Sequence, residues 1–288
     1  MNSETKAAYR SLAGNFYKTH LPNTPVAELT DLNIIGALLR SASGYRPDYF
    51  RRLRNALAFD QSCRGHPHIA EEINRTLNPV SVLDLPRKPK QPRRRRITDE
   101  DFATWVKALA ERDLTVESAA LLLIKMTGAR PCELANISVE ANKITILGAK
   151  QSHGGLRGAD RMLEASDKDC ELIRNTIGVF HKKERTLDAM RMAIREVAVE
   201  IFGSKKAPSM YTLRHQFGAD LKASGMSRRE IAYVMGHQAT DSISRYGDKR
   251  YGRAEAVKVR PAQGADLSKI RRTHSSYSSR PPRSLRMA

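Results

Sequence analysis

Apolar side chains recur at helical spacing through most of this chain. Leu32, Ile35, Leu38 and Leu39 form one stripe, Phe50, Leu53 and Leu57 a second, and Ile69, Ile73 and Leu77 a third. Gly44, Pro47, Gly65 and Pro67 separate these stripes, so residues 1–85 are predicted to form a small helical domain. A new start follows at Ile97-Thr98-Asp99-Glu100-Asp101. Thr98 can cap a helix there, and the three acids suit its N-terminal dipole. Helical patterns continue through Trp105–Leu109 and Ala119–Met126. The period then shortens: Lys143–Leu147 alternates as a strand, and Arg161–Ala165 can return antiparallel after a Gly-rich turn. From Asp167 to Tyr246 the spacing is again helical. The predicted fold class is therefore mainly α with a small antiparallel β-sheet, in two domains.

Composition marks the boundary between them. Residues 86–96 read Pro-Arg-Lys-Pro-Lys-Gln-Pro-Arg-Arg-Arg-Arg, where three prolines oppose helix and seven like charges repel, predicting an extended, exposed linker. The second domain is assigned to residues 97–260. Residues 261–288 are assigned to a disordered basic tail, because the stretch from Ser268 is rich in Ser, Arg and Pro and poor in apolar residues.

Charge then narrows the partner. Fifty Lys and Arg against 31 Asp and Glu leave a formal net charge of +19, which favours a polyanion such as double-stranded DNA or an anionic surface. No apolar run approaches the ~18–20 residues of a membrane span, and the N-terminus lacks a signal-peptide core, so a cytoplasmic, nucleoid-associated protein is expected and no membrane partner. Candidate DNA contacts are Arg46, Arg51, Arg52 and Arg54 on or near one helix, and Arg87, Lys88, Arg93, Arg94, Arg95 and Arg96 in the linker. The alternative for the first four is a solvated helix face. Cys63, Cys132 and Cys170 are three, scattered and unpaired in spacing, which argues against a disulfide framework or a structural zinc site. Cys132 reads as a small buried thiol. No cofactor and no metal are expected.

The candidate chemistry lies towards the C-terminal end. Arg214 sits in Tyr-Thr-Leu-Arg-His, His237 follows 23 residues later in Gly-His, and Tyr246 nine residues after that. An Arg to hold a phosphate, a His to donate a hydrogen bond and a Tyr to attack are the groups needed to open a phosphodiester with a phenol. Arg130, in Thr127-Gly128-Ala129-Arg130-Pro131-Cys132-Glu133-Leu134, offers a second guanidinium. Two ionised forks from different segments could hold the phosphate in line. Each Arg alone would be an ordinary surface residue, and a random Tyr an amphipathic core residue.

The order and wording of these residues resemble the tyrosine recombinase and phage integrase family over residues 97–250, and more loosely the family's N-terminal DNA-binding domain. The resemblance implies a two-domain clamp around DNA. It makes Tyr246 the nucleophile of a 3′-phosphotyrosyl link, Arg130 and Arg214 the stabilisers of the transition state, and His237 a phosphate hydrogen-bond donor. It makes Lys150, after Ile146-Leu147-Gly148, the general acid for the leaving 5′-oxygen, ahead of Lys143 and Lys168. Only Tyr246, not Tyr233 or Tyr251, stands at the expected distance from His237. Tyr211 departs from the pattern, which often has His three residues before the second Arg; a phenol can still donate to phosphate but is a poor base near neutrality. Glu133 reads as the buried partner of Arg130, His215 as structural and His153 as an exposed turn residue. The resemblance further implies a homotetramer on two DNA sites, a Holliday junction intermediate, a possible accessory directionality protein, and docking of residues 251–259 on a neighbouring subunit. It points to the integrase or excisionase of a mobile element, or a resolvase of replicons. The alternatives are a type IB topoisomerase and a DNA-binding regulator on the same fold that has lost catalysis.

Overall fold

The computed structural model describes residues 1, 3–90, 94–148 and 160–273. Its contacts divide the chain into two units, Met1–Gln91 and Pro92–Ala288. The first unit is helical: α1 (Ser3–His20), α2 (Asp31–Arg40), α3 (Pro47–Cys63), α4 (Pro67–Arg75) and the single turn α5 (Pro79–Val82). Proline opens α3, α4 and α5 at the position where a missing N–H costs nothing. The core gathers Phe16, Ile34, Leu38, Phe50, Leu53, Leu57 and Ile73. One expected stripe is corrected. In α2 the buried face is Ile34, Ala37 and Leu38, while Leu32 and Leu39 are exposed. Leu77 is exposed too, since α4 ends at Arg75 before the stripe completes.

The second unit begins with α6 (Asp99–Ala110), capped by the Thr98 hydroxyl, which accepts from the Asp101 amide. Next come α7 (Thr115–Thr127), a 3-10 helix at Pro131–Asn136, β1 (Ile137–Glu140), β2 (Lys143–Ile146) and β3 (Arg161–Glu164). The helices α8 (Asp167–Phe180), α9 (Leu187–Phe202), α10 (Met210–Ala223) and α11 (Arg228–Val234) follow, and β4 (Arg260–Pro261) closes the sheet. The sheet is antiparallel in the order β1-β2-β3-β4, with Ile144 opposite both Val139 and Leu163. Strands β1 and β4 are additions to the sequence reading; β4, at two residues, is too short for a period of two to declare itself. α7 runs through the core, burying Leu121, Leu123 and Ile124 completely. The single Trp, Trp105, is fully buried beside it and donates its indole N–H to the Ile194 carbonyl.

Two expectations change here. The linker is not uniformly extended and exposed. Arg94 forms an ion pair with Asp101 and lies over the Phe202 ring, and its carbonyl accepts from the Thr212 hydroxyl at 2.9 Å. A run of Arg reads as solvated only until an acid and an aromatic ring are brought beside it. The tail assigned from residue 261 is ordered to Thr273: Ala262 and Ile270 are buried, and the Arg271 N–H donates to the Gln238 carbonyl at 3.0 Å. Residues 274–288 lie outside the described residues. Residues 251–259 have contacts within their own unit. The Tyr251 carbonyl accepts from Gln216, the Arg253 amide donates to Asp220, and Val259 is buried. Among the described residues, no helix is long and apolar enough to cross a membrane.

Candidate active site

The site forms where four chain segments of the second unit converge. The first is the exit of α7. The helix stops at Gly128, whose φ of +64° is left-handed, and a Cβ there would fall 2.2 Å from the Phe217 ring. This turn delivers Arg130 to the start of the 3-10 helix. Three residues per turn then place Pro131 and Leu134 inward and Cys132 outward, so Cys132 is exposed rather than buried as expected.

Glu133 faces inward on the same turn and holds Arg130 twice. Its Oε2 accepts from the Arg130 amide at 2.8 Å, and its Oε1 from Arg130 Nη1 at 2.5 Å. Arg130 Nη2 donates to the Gly236 carbonyl at 3.0 Å, tying the first segment to the loop after α11. The second segment is β3. Arg161 takes an inward position of the strand and donates from Nη2 to Glu133 Oε2 at 2.8 Å. Burial opposes ionisation of Glu133, but the guanidiniums of Arg161 and Arg130 overcome it and hold the carboxyl down at about 2.

The third segment is α10, which carries Arg214 in its second turn. This side chain is completely buried. Its Nη1 donates to the Gly128 carbonyl and its Nη2 to the Met235 carbonyl, at 2.5 Å for the latter. Nη2 also lies 3.4 Å from His237 Nε2. Burial, with the like charges of Arg130 and Arg161, pushes Arg214 down to about 10, so it stays charged at neutral pH. His237, on the loop after α11, is pushed down to about 2 by burial and by Arg214, Arg130 and Arg161. Its imidazole is therefore neutral, with one hydrogen to donate. Nδ1 is buried and has no partner.

Tyr246 comes from the fourth segment, after a 3-10 turn at Thr240–Arg245. Its ring lies over the Arg214 guanidinium at 5.1 Å, between the rings of His215 at 5.1 Å and His237 at 5.0 Å. The backbone behind it is held by α10. Lys222 Nζ donates to the Tyr246 and Gly247 carbonyls, and the Gly247 amide donates to His215 Nδ1 at 3.4 Å. Gly218 makes room for this, its Cβ position being 3.0 Å from Tyr246 Cβ.

The structure thus brings Arg130, Arg214, His237 and Tyr246 together. Tyr211, one turn before Arg214, is partly exposed; burial raises its phenol, helped by Cys132 and Tyr246 and opposed by Arg214 and Arg130. Lys150 lies outside the described residues; of the residues that flank its segment, the Gly148 amide donates to Asp160 at 2.8 Å. Tyr233 is buried, its hydroxyl accepting from the Met162 amide, and Tyr251 is partly exposed under Arg96. Arg161 and Lys222 escaped the sequence reading. Arg161 had a signal: it shares the inward face of β3 with Leu163, where a charge has no reason to stand unless paired.

The candidate DNA contacts divide. Arg51, Arg52, Arg87, Lys88, Arg95 and Arg96 are exposed. Arg46 stands half-buried at the start of α3, and Arg54 spends one N–H on the Thr76 carbonyl at 3.1 Å. Arg93 lies outside the described residues. Among the described residues, no group of three or more His, Cys, Asp and Glu is placed to hold a metal.

The sequence matches no protein-family model and no curated protein. Solved structures do match. Tn1549 transposon integrase in complex with transposon right end DNA is 14% identical, with a TM-score of 0.56 over 88% of this chain and 93% of that one. A lambda integrase dimer bound to a COC′ core site is 17% identical, with a TM-score of 0.56 over 87% of this chain and 73% of that one. A lambda integrase tetramer bound to a Holliday junction is 16% identical, with a TM-score of 0.54 over the same shares. On this likeness the chain, mainly helical with a small antiparallel sheet, carries the tyrosine recombinase/integrase fold.

Proposed function

We propose that this protein is a site-specific DNA recombinase that cleaves and rejoins DNA through a 3′-phosphotyrosyl intermediate at Tyr246. The observation that carries the proposal is the Tyr246 ring seated on Arg214 between two imidazoles, with Arg130 anchored alongside. Arg130 and Arg161 share the Glu133 carboxylate there and Arg214 has no acid of its own, and the excess positive charge suits a phosphodiester, whose charge grows in the transition state.

Arg214 is fully covered, so a phosphate reaches it only when the Tyr246 ring swings aside. The same swing takes the phenol from the guanidinium to the scissile phosphorus. Arg130 and Arg214 then bind the non-bridging oxygens, and His237, neutral, donates one hydrogen bond. Tyr246 Oη forms the bond to phosphorus and gives its proton to water, while the bond to the 5′-oxygen breaks and Lys150 protonates that oxygen. Reversal with a 5′-hydroxyl from a second duplex rejoins the strand without a nucleotide. Strand exchange of this kind needs two DNA sites held together, which we assign to a homotetramer in the compartment that contains the DNA.

A second basic surface supports the reading. Arg95, Arg96, Arg228, Arg245 and Lys249, with Asp248 as the only acid, line a cavity of about 820 Å³ beside the Tyr246 loop. Phosphate contacts of this kind would position the duplex without reading its sequence. The role of integrase, excisionase or resolvase follows from the DNA site rather than from these residues. The test is a nicked suicide duplex built from DNA flanking the coding sequence and labelled at either end. A covalent adduct retaining the strand with the 3′-phosphate is expected, and its loss in Tyr246→Phe. Tight binding without adduct would favour the non-catalytic regulator.

A further inference from the structure

Arg161 has no part in the chemistry just proposed, yet it stands in the middle of the site. Its side chain is 0% exposed, so it cannot touch DNA. Nη2 is bonded to Glu133, whereas Nε and Nη1 are buried with no partner. A Cβ on Gly236 would lie 2.7 Å from Arg161 Nη1 and 3.2 Å from Arg130 Nη1, so both guanidiniums press on one backbone face with Glu133 beside them. Such a residue is a poor device for stability. A buried ion pair gives little over an apolar pair of the same volume, and the neighbouring inward position of β3 is filled by Leu163.

Its geometry accounts for it better. Glu133 Oε2 is shared by the Arg130 amide and Arg161, which leaves Oε1 aimed at Arg130 Nη1. Without Arg161 the carboxylate is free to turn about a torsion with a broad, roughly two-fold profile. We infer that Arg161 is a positioning residue, which locks the Glu133 carboxylate from behind so that Arg130 presents its guanidinium to the scissile phosphate. The inference rests on the recombinase reading given above. The groups facing Glu133 are Arg130 on its own turn, Arg161 from β3, Arg214 from α10 and His237 from the loop after α11.

The test compares Arg161→Met, and Arg161→Met combined with Glu133→Gln, with the unaltered protein. Single-turnover adduct formation on the suicide duplex is followed from about pH 5 to 8, with affinity for a labelled uncut duplex measured alongside; misplacement of one group by ~1 Å costs about 10²-fold in rate. Arg161→Met is expected to cleave about 10- to 100-fold more slowly and to bind DNA within about threefold. Its deficit should widen towards acid pH, because Glu133 has lost its strongest counter-ion and takes up protons there. The double variant, which lacks the titrating carboxylate, should be as slow as the single one, with a deficit that no longer depends on pH.

A folded variant cleaving at the unaltered rate, or a deficit in Arg161→Met that is constant across pH, would overturn the inference. Failure of both variants to fold, read from Trp105 fluorescence, would assign Arg161 to the fold and overturn it too. No adduct from the unaltered protein would instead defeat the recombinase reading itself.

Discussion

Glu133, Arg214 and His237 carry pKa values shifted by their surroundings. His237 shows the consequence most directly. Its folded value, about 2, lies below the ordinary 6.5, so the unfolded chain binds a proton in a range where the folded chain does not. The stabilising contribution is complete above pH 6.5 and is lost as the pH falls towards 2. Glu133 is also depressed, from 4.5 to about 2, so its contribution disappears only below pH 4.5. Between these limits His237 acts alone of the pair. Urea unfolding of the second unit, followed by Trp105 fluorescence, should therefore weaken from about pH 6.5 to 4.5, and His237→Asn should flatten that slope. An unchanged slope in the variant would mean that His237 is not held neutral. Much of this was readable from residue order alone. Arg130, Arg214, His237 and Tyr246 were legible because short words surround them. The neutrality of His237 was not, since it depends on three guanidiniums supplied by β3, α10 and the exit of α7.

Among the elements, long amphipathic helices were easy to read and short pieces were not. α6, with its Thr98 cap and acidic first turn, starts where the sequence placed it. The C-terminal segment was misread. Arg260 and Pro261 extend the sheet through β4, and Ile270, 1% exposed, plugs the core from a stretch whose Ser, Arg and Lys content resembles a tail. Composition averages over a window and misses one anchoring residue. Ile270→Ala should destabilise the second unit by about 2–4 kcal/mol, as for other buried aliphatic truncations. Trp105-monitored unfolding checks this; a loss below about 0.5 kcal/mol would mean that the segment does not pack as described. The linker tells a similar story. Its charge was obvious, but the half that belongs to the second unit is set by nearby Asp101 and by Phe202 and Thr212, distant residues that no local pattern links to it.

For the whole molecule, the net charge of +19 fits a nucleic-acid partner, while the fold and the clustered Arg, His and Tyr say where the chemistry would occur. Charge alone would suit many basic proteins. Part of it lines the cavity beside the Tyr246 loop, where Arg95 and Arg96 are exposed. Replacing both by Ala should weaken binding to all duplexes alike and lower the slope of log K against log salt by about 2, roughly one for each phosphate that is no longer neutralised. Fluorescence anisotropy over a range of salt concentrations checks this, and an unchanged slope would remove these residues from the DNA path. The identity of the DNA site stays outside any such reading, because phosphate contacts carry no base information.

The central claim is that Tyr246 is the nucleophile. The most direct measurement is to digest the purified protein–DNA adduct with nuclease and protease and to locate the modified residue by mass spectrometry. A phosphotyrosyl group on the peptide containing Tyr246 is the result this account expects. The same modification on Tyr211, Tyr233 or Tyr251, or its persistence in Tyr246→Phe, would contradict it.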